Sequence, residues 1–222
     1  MSTYRVTILQ AEQLTHDVKS FRVTRPENYQ FIPGQATEVN LVEKGWEEEK
    51  RPFTFTGLPD ASYLQFTIKG YPSHKGVTEK LHHLTIGDQL EIGDPWGAIS
   101  YQGPGYFIAG GAGITPFLAI FRELHKEGRL QGNTLLFSNK TAADIILEQE
   151  LKGMLGNHAV FILSQEKKEP YQYGRIDEAF LRKLQPNLHQ HFYVCGPDPM
   201  VEQISGVLEG MGAKPDAVVF EK

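Results

Sequence analysis

Two domains are predicted for this chain of 222 residues: an N-terminal antiparallel β-barrel, then an α/β unit built on a five-stranded parallel sheet. Three observations predict them. Through the first half, apolar residues alternate by twos between turns rich in Gly and Pro, as half-buried strands require. After Gly103-Pro104-Gly105 the pattern changes to short unbroken apolar runs separated by helical stretches, the signature of a doubly wound sheet. The length suits two domains of about 100 residues each. The predicted extents are 1–101 and 102–222.

Tyr4, Val6 and Ile8 are apolar and Arg5 and Thr7 polar, so the chain opens on a strand with one buried face. Phe21 and Val23 repeat the pattern. Phe31-Ile32-Pro33-Gly34-Gln35 is a turn leading into a strand over 36–42. The charged stretch 44–50, with Glu47-Glu48-Glu49, reads as a solvated hairpin tip. Strands follow over 51–56, 63–69 and 89–92, with one helical pattern, 77–84, among them. Short strands at this spacing curl into a small barrel. In the second half, apolar runs at 106–109, 134–137, 159–163, 192–195 and 217–220 alternate with helical patterns at 116–126, 145–155, 177–184 and 200–211. Such runs read as strands buried on both faces.

Composition bounds the function. At 40% hydrophobic and 22% charged the chain is ordinary globular material. No apolar run reaches the ~18 residues of a membrane helix, and Met1-Ser2-Thr3-Tyr4-Arg5 has no apolar leader core. A net charge of −5 argues against a nucleic-acid backbone as partner. The single cysteine, Cys195, excludes an internal disulfide, an iron–sulfur cluster and a Cys-rich zinc site. A reducing, cytoplasmic compartment is the expectation that follows. His74, His82 and His83 show no ligand pattern, and no metal is expected.

Four segments carry chemistry. Gly110-Gly111-Ala112-Gly113-Ile114-Thr115-Pro116 joins the first strand of the predicted sheet to its first helix. Small residues there let a pyrophosphate approach the backbone at a helix N-terminus. Thr115 is placed to cap the helix and Pro116 to start it. The pattern is not G-x-G-x-x-G, which excludes an ordinary Rossmann dehydrogenase; a ligand-free tight turn is the alternative. Ser138-Asn139-Lys140 ends the second strand, and no carboxylate follows until Asp144. Hydroxyl and cationic groups at that tip favour NADPH over NADH; plain loop residues are the alternative. Cys195-Gly196-Pro197-Asp198-Pro199-Met200 ends the fourth strand, at the edge where open α/β sheets bind ligands; a buried small hydrophobe is the alternative for Cys195, and the favoured one for the cysteine taken alone. In the first half, Arg51-Pro52-Phe53-Thr54 offers a guanidinium for a phosphate, a ring for stacking and a hydroxyl for a ring nitrogen; taken alone, the motif reads first as a barrel strand with a surface Arg. On a strand, Arg51, Phe53 and Phe55 share one face. Gly76-Val77-Thr78 opens the 77–84 helix as a second phosphate cradle.

These motifs, in this order, resemble the ferredoxin–NADP reductase superfamily, and the chain looks most like its compact flavodoxin/ferredoxin reductase-like members. The resemblance runs from the Pro33-Gly34-Gln35 turn to Glu221. It implies that Arg51, beside Pro52, binds the FAD pyrophosphate, that Phe53 packs on the flavin where the family usually has Tyr, and that Thr54 contacts the redox nitrogen. Ile68 and Lys69 match the strand that passes the flavin phosphates, and Gly76, Val77 and Thr78 match a phosphate turn. Gly111, Gly113, Ile114 and Thr115 are implied to serve the nicotinamide nucleotide. Cys195 is implied to sit beside the nicotinamide with Gly196, Pro197 and Met200, and Glu221, after Phe220, to complete the site.

The implied activity is hydride transfer from NAD(P)H to FAD, then electron transfer to a separate carrier: a ferredoxin, a flavodoxin or an oxygenase component. Many relatives carry a fused iron–sulfur domain, for which this chain has neither room nor cysteines. A monomer is expected. Two other activities stay open: a flavin reductase that releases its reduced flavin, and a non-turnover electron-transfer subunit of a larger complex.

Overall fold

The computed structural model describes residues 2–43, 45–46, 49–71, 76–97, 99–213 and, for the backbone, 218–220. The N-terminal part comprises β1 (Tyr4–Thr15), β2 (Val18–Thr24), β3 (Ala36–Leu41), β4 (Arg51–Thr54), β5 (Tyr63–Lys69), α1 (Val77–His83) and β6 (Gln89–Ile92). Its strands form an antiparallel sheet in the order β4-β3-β6-β1-β2-β5. The two ends meet: Phe55 bridges Phe66, and Thr56 N donates to Gln65 O at 2.8 Å. The sheet is therefore curled into a barrel, as predicted. Inside are Val6, Ile8, Phe21, Val23, Val39, Leu64, Phe66 and Ile92, with Phe55 stacked on Phe31 at 4.3 Å between ring centroids.

β1 runs well past the predicted alternation. Its pairing with β2 shifts register between Ile8 and Gln10. The extra residue there ends the period of two: Val6 and Ile8 are buried and Leu9 is exposed, as alternation requires, but Gln10 and Ala11 are both half-buried and Glu12 and Gln13 both exposed. A periodicity argument stops at such a point although the strand does not.

The C-terminal part comprises β7 (Gly105–Gly110), α2 (Thr115–Lys126), β8 (Thr134–Asn139), α3 (Glu148–Leu155), β9 (Ala159–Leu163), β10 (Gln172–Tyr173), α4 (Glu178–Leu184), β11 (His191–Cys195), α5 (Asp198–Met211) and β12 (Val218–Phe220). All pairings are parallel, in the order β10-β9-β8-β7-β11-β12. The five predicted strands are present. The sixth, β10, is two exposed residues at the sheet edge and has no apolar pattern to read. The predicted 145–155 helix starts later, at Glu148. Before it, Thr141 and Asp144 cap each other reciprocally around a 3₁₀ turn, Ala142–Asp144, and Ile145 and Ile146 are buried as apolar anchors.

Alternate residues of the central strands serve two cores. Phe107, Leu135, Phe137 and Tyr193 meet Phe117 and Phe121 of α2 and Leu151 of α3. Ile108, Leu136, Ile162 and Val194 meet Leu181 of α4 and Ile204 and Leu208 of α5. Each such side chain contributes about 1.5–3 kcal/mol on burial. No described helix is long and apolar enough to cross a membrane.

The barrel reaches into the first of these cores. Val18 and Ile99 belong to the cluster that holds Ile114, Phe117 and Cys195. Gly34 has φ +96°, and a Cβ there would lie 2.2 Å from Ile99 O. The Pro33-Gly34-Gln35 turn thus seats on the segment that enters the α/β unit. The Tyr193 hydroxyl then ties that segment down. It accepts from Gln102 N at 2.8 Å and Gly103 N at 3.0 Å and donates to Gly103 O at 2.8 Å.

Candidate functional site

In the parallel sheet, β8 and β9 lie to one side of β7 while β11 and β12 lie to the other. The strand order therefore reverses between β7 and β11, and the crevice outside their carboxyl ends is where such sheets take ligands. The two predicted motifs, Gly110–Gly113 and Cys195–Gly196, meet at this point. Gly113 packs on the Cys195–Gly196 peptide: a Cβ would fall 2.2 Å from Cys195 O and 2.6 Å from Gly196 N. Gly110 is pressed by Met200 and Pro197, and a Cβ would lie 2.5 Å from Met200 Sδ. Gly111 is different. Its φ is +52° and its Cβ would meet nothing within 4 Å. Gly113 closes the junction, and Gly111 presents bare backbone to open space.

Thr115 does not cap α2. It is the helix's first residue, preceded by Ile114 in helical conformation with no side-chain cap. The reason is that Gly111–Ile114 already coil as a 3₁₀ turn. The helical turns, and with them the N–H groups that find no partner within the helix, thus begin at Gly111, a turn earlier than predicted. Pro116 sits in the first turn as expected, and Ile114 is fully buried. Cys195 is 7% exposed and part of the α2-facing core. Gly196 is half-buried, Pro197 exposed at the start of α5, and Met200 packed on the other core.

On the barrel, β4 pairs with β3 so that Thr54 faces Ala36 and Arg51 faces Val39. Arg51 and Pro52 are exposed. The Arg51 guanidinium contacts Lys50 O at 2.7 Å and the Glu49 carboxylate at 3.2 Å, both side chains about half exposed. Phe53 is half-buried at the barrel rim, whereas Phe55 is wholly inside. Thr54 is 8% exposed. Phe55 N donates to Gln35 O at 3.0 Å, so the end of β4 is joined through the Gly34 turn to Ile99 and the core that holds Cys195.

Helix α1 begins after Gly76, with Val77 buried in the barrel core and Thr78 half-buried. The Ile68 side chain is likewise buried, and its backbone lies opposite Lys19 in the β2–β5 pairing. Lys69 Nζ lies 2.9 Å from the Asp17 carboxylate. His74 and Glu221 lie outside the described residues. His82 Nε2 is 2.9 Å from Ile68 O, and Lys19 Nζ donates to His82 O at 2.5 Å. Burial, with Lys19 alongside, holds this imidazole below its ordinary value. The unfolded chain then takes up a proton that the folded chain resists, so stability falls as pH drops below about 6.5. Thermal midpoints should decline from about pH 7.5 to about pH 5.5, and His82→Gln should flatten that slope; an unchanged slope would exclude His82 as its source.

At the tip of β8, Ser138 and Asn139 point to opposite faces of the sheet. Lys140 is exposed. Asn139 is 5% exposed, and neither end of its amide has a hydrogen-bond partner among the described residues. Buried polar groups left so are rare and call for a ligand or water. Nearby, the Asp144 carboxylate accepts from Thr141 N at 2.8 Å and Thr141 Oγ1 at 2.6 Å, and lies 3.8 Å from His16 Nε2 of the barrel.

One residue that joins the two units escaped the sequence reading. Arg122 of α2 donates to the Glu150 carboxylate of α3 and to Thr56 O beyond β4. Its signal was a single cation beside the apolar run Phe117-Leu118-Ala119-Ile120-Phe121.

Residues 5–101 match the family model of the oxidoreductase FAD-binding domain, and residues 107–206 that of the oxidoreductase NAD-binding domain. The reductase component of propane 2-monooxygenase from Rhodococcus jostii is 26% identical over 98% of this chain and 63% of its own length. The ferredoxin–NAD(P)(+) reductase component of the naphthalene 1,2-dioxygenase system of Pseudomonas putida is 24% identical over 96% of this chain and 66% of its own. The chain thus spans just under two thirds of these relatives. The CS-b5R domains of human Ncb5or, solved in the NAD+ form, superpose with a TM-score of 0.87 at 26% identity, covering 100% of this chain and 70% of that one. With a barrel that matches the FAD-binding domain and a switch-point crevice in a sheet that matches the NAD-binding domain, the chain belongs to the ferredoxin reductase-like superfamily of FAD-binding oxidoreductases.

Proposed function

We propose that the chain is a reductase that draws hydride from NAD(P)H onto FAD and delivers electrons to a separate protein acceptor of ferredoxin, flavodoxin or oxygenase-component type. The observation that carries this reading is the continuity of the two sites. The end of β4, the Gly34 turn and Ile99 run without a break into the core that contains Ile114 and Cys195. FAD, when bound, accepts two electrons as hydride and releases them singly, a conversion that no side chain performs.

The residues fit the two cofactors. Arg51 is an exposed cation that, among the described residues, contacts Lys50 O and the half-exposed Glu49 carboxylate, and it is suited to a pyrophosphate. Phe53 offers a ring at the barrel rim. Thr54, 8% exposed, offers its hydroxyl to a polar ring atom. Gly76, Val77 and Thr78 contribute backbone N–H groups at the start of α1, and Lys69 adds a cation. At the crevice, the bare backbone of Gly111 admits a pyrophosphate, and the unsatisfied Asn139 amide fits a buried polar group of the coenzyme or its water. Cys195, Gly196, Pro197 and Met200 shape the nicotinamide end without supplying a nucleophile. Lys140 and Asp144 stand near the same strand tip with opposite preferences for a ribose 2′-phosphate.

The test is an anaerobic titration of the FAD-loaded protein with NADPH and with NADH. Bleaching of the flavin by either supports the reading and identifies the coenzyme; bleaching by neither overturns it in favour of a non-turnover subunit. Flavin lost on desalting would favour a released-flavin reductase. Thr54→Val, close in shape, should keep FAD and slow flavin reduction about tenfold, the worth of one hydrogen bond; unchanged stopped-flow rates would remove Thr54 from that role.

A further inference from the structure

We infer that Arg122 is a positioning residue for hydride transfer, a clamp that sets the nucleotide-binding helix against the flavin-binding strand; this rests on the reductase reading above. Arg122 Nε and Nη2 donate to the two Glu150 carboxylate oxygens at 2.6 and 2.8 Å, and Nη1 donates to Thr56 O at 2.5 Å. A planar guanidinium is the side chain that can engage a carboxylate with two N–H groups and a carbonyl with a third. Its side chain is 15% exposed and that of Glu150 34%, so solvent screens the contact only in part.

What the clamp joins gives it meaning. Thr56 lies two residues past Thr54 in one extended segment. It is rigid: its N–H is bonded to Gln65 O at 2.8 Å, and its hydroxyl lies 3.1 Å from that of Thr67. Arg122 stands two turns along α2 from Thr115, about 10 Å down the axis from the Gly111–Ile114 turn. A stiff helix and a stiff strand transmit the position of one end to the other. One turn further, Lys126 pairs with Asp60, a more exposed tie between the same two units. Neither the flavin nor the coenzyme needs Arg122 for its own binding. Both need it to be held at reacting distance from each other, where a displacement of about 1 Å costs about 10²-fold in rate.

The clamp also borders a solvent-open cavity of about 690 Å³ between the units, lined by Arg22, Tyr63, His125 and Met154 among others. Truncating Arg122 would leave a path for a small cation to replace the missing group.

In the FAD-loaded protein, Arg122→Gln should lower the limiting rate of flavin reduction 10- to 100-fold, with the coenzyme dissociation constant and FAD retention changed less than twofold. Arg122→Ala should be partly restored by millimolar guanidinium and not by equal ionic strength of sodium chloride. Glu150→Gln, which leaves the Thr56 contact in place, should give an intermediate rate and covers the case in which Arg122 variants fold poorly. Amide hydrogen exchange on the FAD-free protein is the readout independent of turnover: Arg122→Gln should raise exchange at 54–57 and 111–115 together. Wild-type reduction rates in both variants would overturn the clamp, as would exchange that rises only within α2. A wild-type protein that neither coenzyme reduces would sink the reductase reading, and the exchange experiment would still decide whether the clamp exists.

Discussion

Gly113→Ala should cripple coenzyme-dependent flavin reduction and destabilise the fold, while leaving FAD in place. The new methyl would sit 2.2 Å from Cys195 O and 2.4 Å from Cys195 C. Both are backbone atoms, so no rotamer change relieves the clash; the β11–α5 turn must move away from the 3₁₀ turn. Overpacking of this kind costs about 1–3 kcal/mol, and a loss near the upper figure lowers the melting midpoint by roughly 6–12 °C in a chain of this size. The crevice at the strand-order reversal would be pried open, so coenzyme affinity should fall by about 10²-fold. Gly111→Ala is the control. Its methyl meets open space, and its φ of +52° costs an L-residue about 1–2 kcal/mol. It should therefore melt only about 2–8 °C below the wild type and act on coenzyme binding through the space it fills. Calorimetry and coenzyme titration on both variants check this. A Gly113→Ala protein with wild-type melting and wild-type affinity would mean that the junction tolerates separation.

The contrast between these two glycines shows where sequence reasoning works and where it stops. Gly111 and Gly113 look equivalent in the string Gly110-Gly111-Ala112-Gly113, and both read as places where a phosphate meets backbone. Only the return of β11 to the neighbouring position in the sheet makes Gly113 a packing glycine, through a contact far along the chain. Strands and helices are legible because their burial is local and periodic, and strands 63–69, 89–92 and 159–163 appear with the predicted bounds. The bulge in β1 and the two exposed residues of β10 fall outside any period. Phe53 and Phe55 share a sequence pattern, yet closure of the barrel takes Phe55 inside against Phe31 and leaves Phe53 at the rim. Thr115 has the chemistry of a cap and lost the position to a 3₁₀ turn that three small residues make possible. Arg122 was invisible as a site residue because its partners, Thr56 and Glu150, lie on separate elements.

Arg51→Gln should lower FAD affinity by about 10²- to 10³-fold. The guanidinium is exposed, and its contact with Glu49 joins two half-exposed side chains at 3.2 Å. Such a pair is worth about 0–1 kcal/mol, so it neither fixes Arg51 nor competes strongly with a phosphate. Two charge-assisted hydrogen bonds to a pyrophosphate contribute about 1.5–3 kcal/mol each. After the loss of the Glu49 contact and the ordering of a long side chain, about 3–4 kcal/mol remains, and each 1.4 kcal/mol is a factor of about ten. Gln keeps the length and some hydrogen bonding without the charge or the fork. Arg51→Lys keeps the charge alone and should fall between them. Fluorescence titration of FAD into the flavin-free proteins reads the affinities directly. Melting gives a second measure: FAD at about 100 times its dissociation constant stabilises the wild type by about 2.7 kcal/mol, a gain that Arg51→Gln should lose at the same FAD concentration. Because Arg51 is exposed and its β4 neighbours keep their pairing with β3, the flavin-free variant should melt with the wild type. Equal FAD affinity in all three proteins would move the pyrophosphate away from β4, toward Lys69 and the start of α1.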